Sequence, residues 1–307
     1  MIGILYNTVS FPGLGIEPFE VNNIAVSGES LGFLKSIFGE SWQGIAWYGI
    51  IIMVGIILSA LNGIKRAHQE GITTDDILDV ILVAVVVSVI GARLYYVVFY
   101  GGLDSFYDLI AVWQGGLAIY GAVIGGIISL IIMALIKKVS PLVLLDIGAS
   151  SIILGQAIGR WGNFVNIEAF GEATTLPWRM GIGFDGVILE YVHPTFLYES
   201  LWNIIGFGLI WYFYNHKRYN GQVLLTYLAW YGFGRMLIEG LHTDSLLLMP
   251  GVRVSQLLGG LFFVICTAAI IYIEVMIKKG KKVKFFDLVT VKEDNQKKED
   301  KKNGNKN

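Results

Sequence analysis

Three arginines, three glutamates and a set of amides and rings interrupt a chain that is otherwise largely apolar. They are Arg93, Arg160 and Arg235; Glu168, Glu199 and Glu239; Gln114, Asn163 and Asn166; and Tyr48, Tyr120, His193, Tyr198 and Tyr231. A guanidinium presents its donors as a planar fork that matches phosphate oxygens. Two or three such forks at one level would hold an anion, and a phospholipid headgroup is the anion a membrane supplies. Each position also has a plainer reading. Arg235 and Glu239 stand four apart on one expected helix and would neutralise each other. Arg160 ends an apolar run and could snorkel to the interface. His193 precedes Pro194 at a helix start, where capping or a loop role is the default. Trp47, Tyr48, Trp113, Trp161 and Trp178 fit an interfacial aromatic belt. Arg93 has the least excuse, because the next acid along the chain is Asp104. The case for chemistry rests on whether these residues converge, which depends on the elements that carry them.

Of the 307 residues, 54% are hydrophobic and 15% charged, against roughly 25% charged in soluble domains. That composition excludes a soluble domain, a disordered chain and a nucleic-acid binder, and it implies a polytopic membrane protein. A spanning helix needs about 20 apolar residues. Seven stretches qualify: 41–64, 80–103, 109–136, 139–159, 200–216, 219–234 and 254–273. The chain holds 38 glycines, which suits close helix packing in lipid. No internal repeat is visible. The expected fold is an all-α polytopic membrane protein of seven transmembrane helices. The expected organisation is an external arm over 1–42, a catalytic membrane domain over 43–277 with an external loop region at 161–194, and a disordered cytoplasmic tail over 278–307. The polar, Gly- and Ser-containing composition of 1–42 suggests an outside arm or an interfacial helix. The first fifteen residues lack a positive start and a long apolar run, so no cleavable signal peptide is expected.

Basic residues at the turns set a direction. Lys65 and Arg66, Lys137 and Lys138, and Lys217 and Arg218 alternate with turns nearly devoid of them. The net charge of −1 conceals a tail at 278–307 with eleven basic and five acidic residues, hence +6. The positive-inside rule then puts the N-terminus outside and the C-terminus in the cytoplasm. In that topology the unusual polar residues fall at the outer ends of six spans. Polar groups are costly in lipid and usually face a cavity, so a polar cavity at the outer headgroup level follows. A flippase or transporter would carry polar groups at the midplane or across the full depth, and a seven-span receptor or scaffold would not need arginines at one level. Asp79 and Asp146, near inner ends, are expected at the inner headgroups. Cys266, in an apolar run, is the only cysteine, so no disulfide or cysteine metal cluster is expected.

The segment Gly159–Gly171, GRWGNFVNIEAFG, resembles the signature of the prolipoprotein diacylglyceryl transferases. Similar segments follow the family's order: WYG at 47–49, GAR at 91–93, WQGGLAIYGAVIGG at 113–126, HPTFLYES at 193–200 and YGFGRMLIEG at 231–240. The likeness runs from about 43 to 275. It implies a bacterial inner-membrane, multi-pass enzyme whose active site faces the outer leaflet. Such an enzyme moves the diacylglyceryl group of phosphatidylglycerol to the lipobox cysteine of a preprolipoprotein, forming a thioether and releasing glycerol 1-phosphate. No cofactor, metal or nucleic acid is implied. Arg160 and Arg235 are then the residues that hold the phosphate and stabilise the leaving group. Asn163, Asn166, Glu168 and Gly171 shape the site, and Tyr48, Arg93 and Tyr231 bind substrate. Attack requires a thiolate, so a general base is expected. Some relatives have His where this chain has Tyr120, which leaves Tyr120, His193, Glu168, Glu239 or thiolate stabilisation by the arginines. His242 stands where many relatives carry Arg, so slightly weaker anion binding is expected.

Overall fold

A computed structural model describes residues 7–38, 44–101, 116–243, 247–249, 252–281 and 283. Trp113, Gln114, Asp104 and most of the basic tail lie outside the described residues. The helices are α1 (Gly32–Phe38), α2 (Trp47–Gln69), α3 (Thr74–Tyr100), α4 (Ile119–Ile136), α5 (Pro141–Asn166), α6 (Thr195–Asn215), α7 (Gln222–Ile238) and α8 (Val254–Lys278). The seven from α2 onward overlap the seven expected spans. Five of them, α2 to α5 and α8, are long and apolar enough to cross a membrane. Of the remaining two, α6 carries Tyr198, Glu199 and Asn203 among its apolar residues, and α7 is 17 residues long and carries Gln222 and Arg235.

The all-α expectation is corrected. Strands β1 (Asn7–Phe11), β2 (Ile16–Val21), β5 (Met180–Phe184) and β6 (Val187–Val192) form an antiparallel sheet in the order β2-β1-β5-β6. Two small pairs, β3 (Ile24–Ser27) with β4 (Gly44–Ala46) and β7 (Leu247–Met249) with β8 (Val252–Arg253), complete the strands described. The β5–β6 hairpin turns on Asp185 and Gly186, at φ 49° and 80°, the mirror-image turn that Asp-Gly favours. Thr8 Oγ1 accepts from the Gly186 N–H at 2.8 Å and locks that turn to β1. Asp-Gly was the legible signal for this hairpin. Its partner β1 lies about 170 residues away, and no local pattern reveals such a pairing.

The chain divides into two compact units, Met1–Ser59 with Ile152–Phe213 and Leu225–Lys281, and Ala60–Ser151 with Tyr214–Leu224 and Lys282–Asn307. In the first, Val9, Met180, Ile182, Val192 and Phe196 form a buried core, with Phe164, Ile167 and Phe170 packed against it. The sheet therefore clamps the end of α5, the loop after it and the start of α6.

In the second unit α3 and α4 approach so closely that a Cβ on Gly91 would lie 2.5 Å from the Gly121 carbonyl oxygen, the small-residue packing expected in lipid. Asp146 is fully buried within the protein, and its carboxylate accepts the N–H groups of Gly221 and Leu224, each at 2.9 Å. It thereby satisfies orphan donors at the α7 N-terminus. Several orientation-setting cations are paired off in the same unit. Lys217 meets Glu70 at 2.5 Å, and Lys137 meets Asp76 at 2.7 Å and Asp79 at 2.5 Å. Arg66 is buried, bonded to Gln69 and Asn215 and stacked 4.4 Å from the Tyr214 ring.

Candidate functional site

The site is built in the first unit at three helix ends. Arg160 lies near the C-terminus of α5, Glu199 on the second turn of α6, and Arg235 in the last turn of α7. A single-turn 3-10 segment, Glu239–Leu241, follows α7 and leads to His242.

A pair of indoles fixes α6 against α7. The Trp202 and Trp230 rings stack at 4.2 Å. Each Nε1 donates to the other residue's backbone carbonyl, at 3.1 and 3.0 Å. Gly206 and Gly234 make room, since a Cβ on either would run into an indole. Glu199 lies one turn before Trp202, and Arg235 directly follows Gly234. The clamp therefore sets the two ionic residues facing each other, and neither tryptophan was singled out from sequence.

Glu199 is the hub. Arg160 Nη2 contacts its Oε2, and Arg235 Nη1 lies 3.4 Å from Oε1. His242 Nε2 lies 2.6 Å from the same Oε1. The side chain of Glu199 is only 8% exposed. Arg235 Nη2 also meets Glu239 at 2.6 Å, so the expected i,i+4 pair exists and is one arm of a two-carboxylate bridge. Arg160 is held by an acid on a neighbouring helix. His242 is 3% exposed. It is not merely a lost positive charge but a direct partner of the hub. Glu199 was legible as an acid at a span edge within HPTFLYES, yet only the meeting of three helices shows two arginines on it.

The signature loop extends from Arg160. Arg160 Nη1 donates to Asn163 Oδ1 at 3.4 Å, and Asn163 Nδ2 donates to Glu168 Oε1 at 2.8 Å. Asn166 is the last residue of α5. The chain then turns through Ile167 and Ala169, both in the left-handed region at φ 50° and 52°. A Cβ on Gly162 would lie 2.9 Å from the Tyr48 ring, so that ring sits directly on the signature helix. Gly171 donates its N–H to the His193 carbonyl at 3.0 Å and bridges to His242. A Cβ there would lie 2.6 Å from His193 Cβ and 3.0 Å from the Leu241 carbonyl oxygen. Gly171→Ala is therefore expected to overpack the strand crossing and cost about 1–3 kcal/mol. The check is the thermal unfolding midpoint of the purified protein; an unchanged midpoint would contradict the crowding.

The other nominated residues have these surroundings. His193 Nδ1 is 3.3 Å from the Tyr198 hydroxyl, which accepts from Trp178 Nε1 at 2.7 Å. Its backbone is woven into the 171–172 crossing, as a loop role requires. Tyr231 lines a cleft with Glu199, Trp202, Asn203, Gly234 and Arg235. Trp161 donates to Ser200 at 3.1 Å, so that indole also ties helices together. Arg93 and Tyr120 belong to the second unit. There Arg93 is buried and donates to the Gly116 carbonyl at 3.2 Å, and the Tyr120 ring centroid lies 6.1 Å from that of Tyr95.

Two guanidinia converge on one buried carboxylate, and a carboxylate and a phosphate offer the same paired oxygens to such a fork. The sequence pattern of the prolipoprotein diacylglyceryl transferase family matches residues 39–272. The chain is 46% identical over 237 residues to the phosphatidylglycerol–prolipoprotein diacylglyceryl transferase of Streptococcus equi subsp. zooepidemicus, covering 74% of this chain and 89% of that one. It is 43% identical over 231 residues to the protein of that name from Limosilactobacillus reuteri, covering 72% and 84%. With the protein of that name from Listeria welshimeri it shares 40% over 237 residues, covering 74% and 85%.

Proposed function

We infer the reaction from one premise: the chain belongs to the prolipoprotein diacylglyceryl transferase family. It is a transferase that takes the diacylglyceryl group of phosphatidylglycerol to the lipobox cysteine of a prolipoprotein. The cysteine thiolate attacks the glyceryl carbon that carries the phosphate ester oxygen. The C–O bond breaks, an S–C thioether forms, and glycerol 1-phosphate leaves with one more negative charge than the phosphodiester carried. The thiol proton passes to a base.

The observation that carries this reading is the convergence of Arg160 and Arg235 on the Glu199 carboxylate. Preorganised cations placed where charge develops lower the barrier more than any other single device. In this proposal Arg160 and Arg235 grip the phosphate, and Asn163, Asn166, Glu168 and Gly171 hold the loop beside it. Tyr48 and Tyr231 bind lipid in the same unit, and Arg93 is assigned a lipid-binding role on the second unit. Glu239 keeps Arg235 aimed, His193 and Glu168 are the acid–base groups of this unit, and Tyr120 is assigned an acid–base role on the second unit.

The placement in the membrane is part of the proposal: seven spans, N-terminus outside, site at the outer leaflet of the bacterial cytoplasmic membrane, and the basic tail in the cytoplasm. Two observations support it. The basic turns alternate along the sequence, and within the first unit Arg160, Glu199 and Arg235 come together at helix ends. The test incubates purified protein in phosphatidylglycerol micelles with a lipobox peptide. A diacylglyceryl mass shift on the cysteine, with one glycerol phosphate released per shift, is expected. No shift, where the L. reuteri protein gives one, would overturn the reading.

A further inference from the structure

Both site arginines are already occupied by carboxylates. Arg160 is on Glu199, and Arg235 bridges Glu199 and Glu239. An anionic phosphodiester therefore cannot simply be added; it must displace an acid. Glu239 is poorly suited to leave. It sits on the turn next to Arg235, its side chain is 2% exposed, and its backbone carbonyl holds Arg253 Nη1 at 2.6 Å. Glu199 has somewhere to go, because His242 Nε2 already lies 2.6 Å from its Oε1.

That exchange has an electrostatic condition. Once it has released two guanidinia, the buried Glu199 carboxylate would keep, among its described partners, the His242 N–H alone, and a buried charge without a counter-charge is strongly disfavoured. An imidazolium at His242 supplies the missing positive charge. Among the described residues, the other charged groups around the pair are engaged elsewhere. Arg160 and Arg235 would be on the phosphate, and Arg253 is committed to the Glu239 carbonyl and to Glu172 at 3.1 Å. His193, on the opposite side of the Gly171 crossing, has its ring on Tyr198.

We propose that Glu199 is a positioning residue that holds the anion place between Arg160 and Arg235 until the lipid phosphate displaces it, and that His242 takes up a proton from water to keep the displaced carboxylate paired. The inference rests on the transferase reading above. It makes phosphatidylglycerol binding proton-linked, although the lipid phosphate itself does not titrate near neutrality. An imidazole, unlike a guanidinium, can gain or lose its charge without leaving its hydrogen-bond partner.

The experiment measures the KM for phosphatidylglycerol at saturating lipobox peptide from pH 5.5 to 8.5. In the native protein KM is expected to rise with pH, with a limiting slope of about tenfold per pH unit. His242→Gln is expected to remove the slope and leave KM at its high-pH value. His242→Arg, a fixed cation, removes the slope and keeps KM low at pH 8. Glu199→Gln, which has no charge to re-pair, also flattens it. Proton uptake on lipid binding, read as the buffer dependence of the calorimetric heat, needs no turnover. About one proton per lipid is expected for the native protein and none for His242→Gln. A native KM that ignores pH, or a His242→Gln protein with the native slope or proton uptake, overturns the exchange. A native protein that transfers nothing at any pH overturns the transferase reading instead. A purely structural contact between Glu199 and His242 would lower stability without moving the KM profile.

Discussion

Arg160→Ala is expected to lower diacylglyceryl transfer by roughly 10³-fold, the scale of losing a preorganised charge-stabilising donor at a developing oxyanion. The geometry places three roles on this one side chain. It supplies one of the two forks for the phosphate, it contacts Glu199, and it starts the chain through Asn163 to Glu168. Truncation therefore removes charge from the anion place and loosens the signature loop together. The fold should survive, because Glu199 keeps Arg235 and His242 as partners, and the sheet core clamps the loop independently. Single-turnover modification of a lipobox peptide, beside a thermal unfolding midpoint, checks both halves. A loss of less than tenfold with an unchanged midpoint would remove Arg160 from the anion site.

Arg235→Lys is expected to cost about 10²-fold in transfer, despite conserving charge. Arg235 spreads two nitrogens over two carboxylates on different segments, Nη1 toward Glu199 at 3.4 Å and Nη2 toward Glu239 at 2.6 Å. A lysine ammonium is a compact point charge and cannot present a planar fork in both directions. One carboxylate would lose its partner inside a buried cluster. The measurement is kcat and KM for the lipid at fixed peptide, together with the partial rescue expected if the loss is geometric: Arg235→Lys should retain more activity than Arg235→Ala. Full activity in the lysine variant would mean that charge alone suffices, and the fork would carry no weight.

Much of the fold was legible because the membrane imposes length and composition on its helices. Each of the seven apolar stretches overlaps an observed helix. The boundaries moved where polar residues stand at helix ends, as at α6, which starts at Thr195 rather than 200 because the site acid belongs to its second turn. The arginines and the signature loop were legible as types and spacings. Asp146 was legible as an acid near a helix end but not as the cap of another helix, because the two N–H groups it accepts come from a turn about 75 residues on.

By itself the sequence determined the membrane-borne helices, the family and the cast of polar residues. Those follow from local chemistry: apolar length, basic turns, and a contiguous motif around Arg160. Only the tertiary structure decided what the polar residues do to one another. The sheet that joins residues 7–21 to 180–192, the Trp202–Trp230 clamp, and the meeting of Arg160, Arg235 and His242 on Glu199 all pair segments separated by tens to more than a hundred residues. Such pairings are selected by packing and by the cost of leaving buried charge uncompensated, and neither is written into any local stretch of the chain.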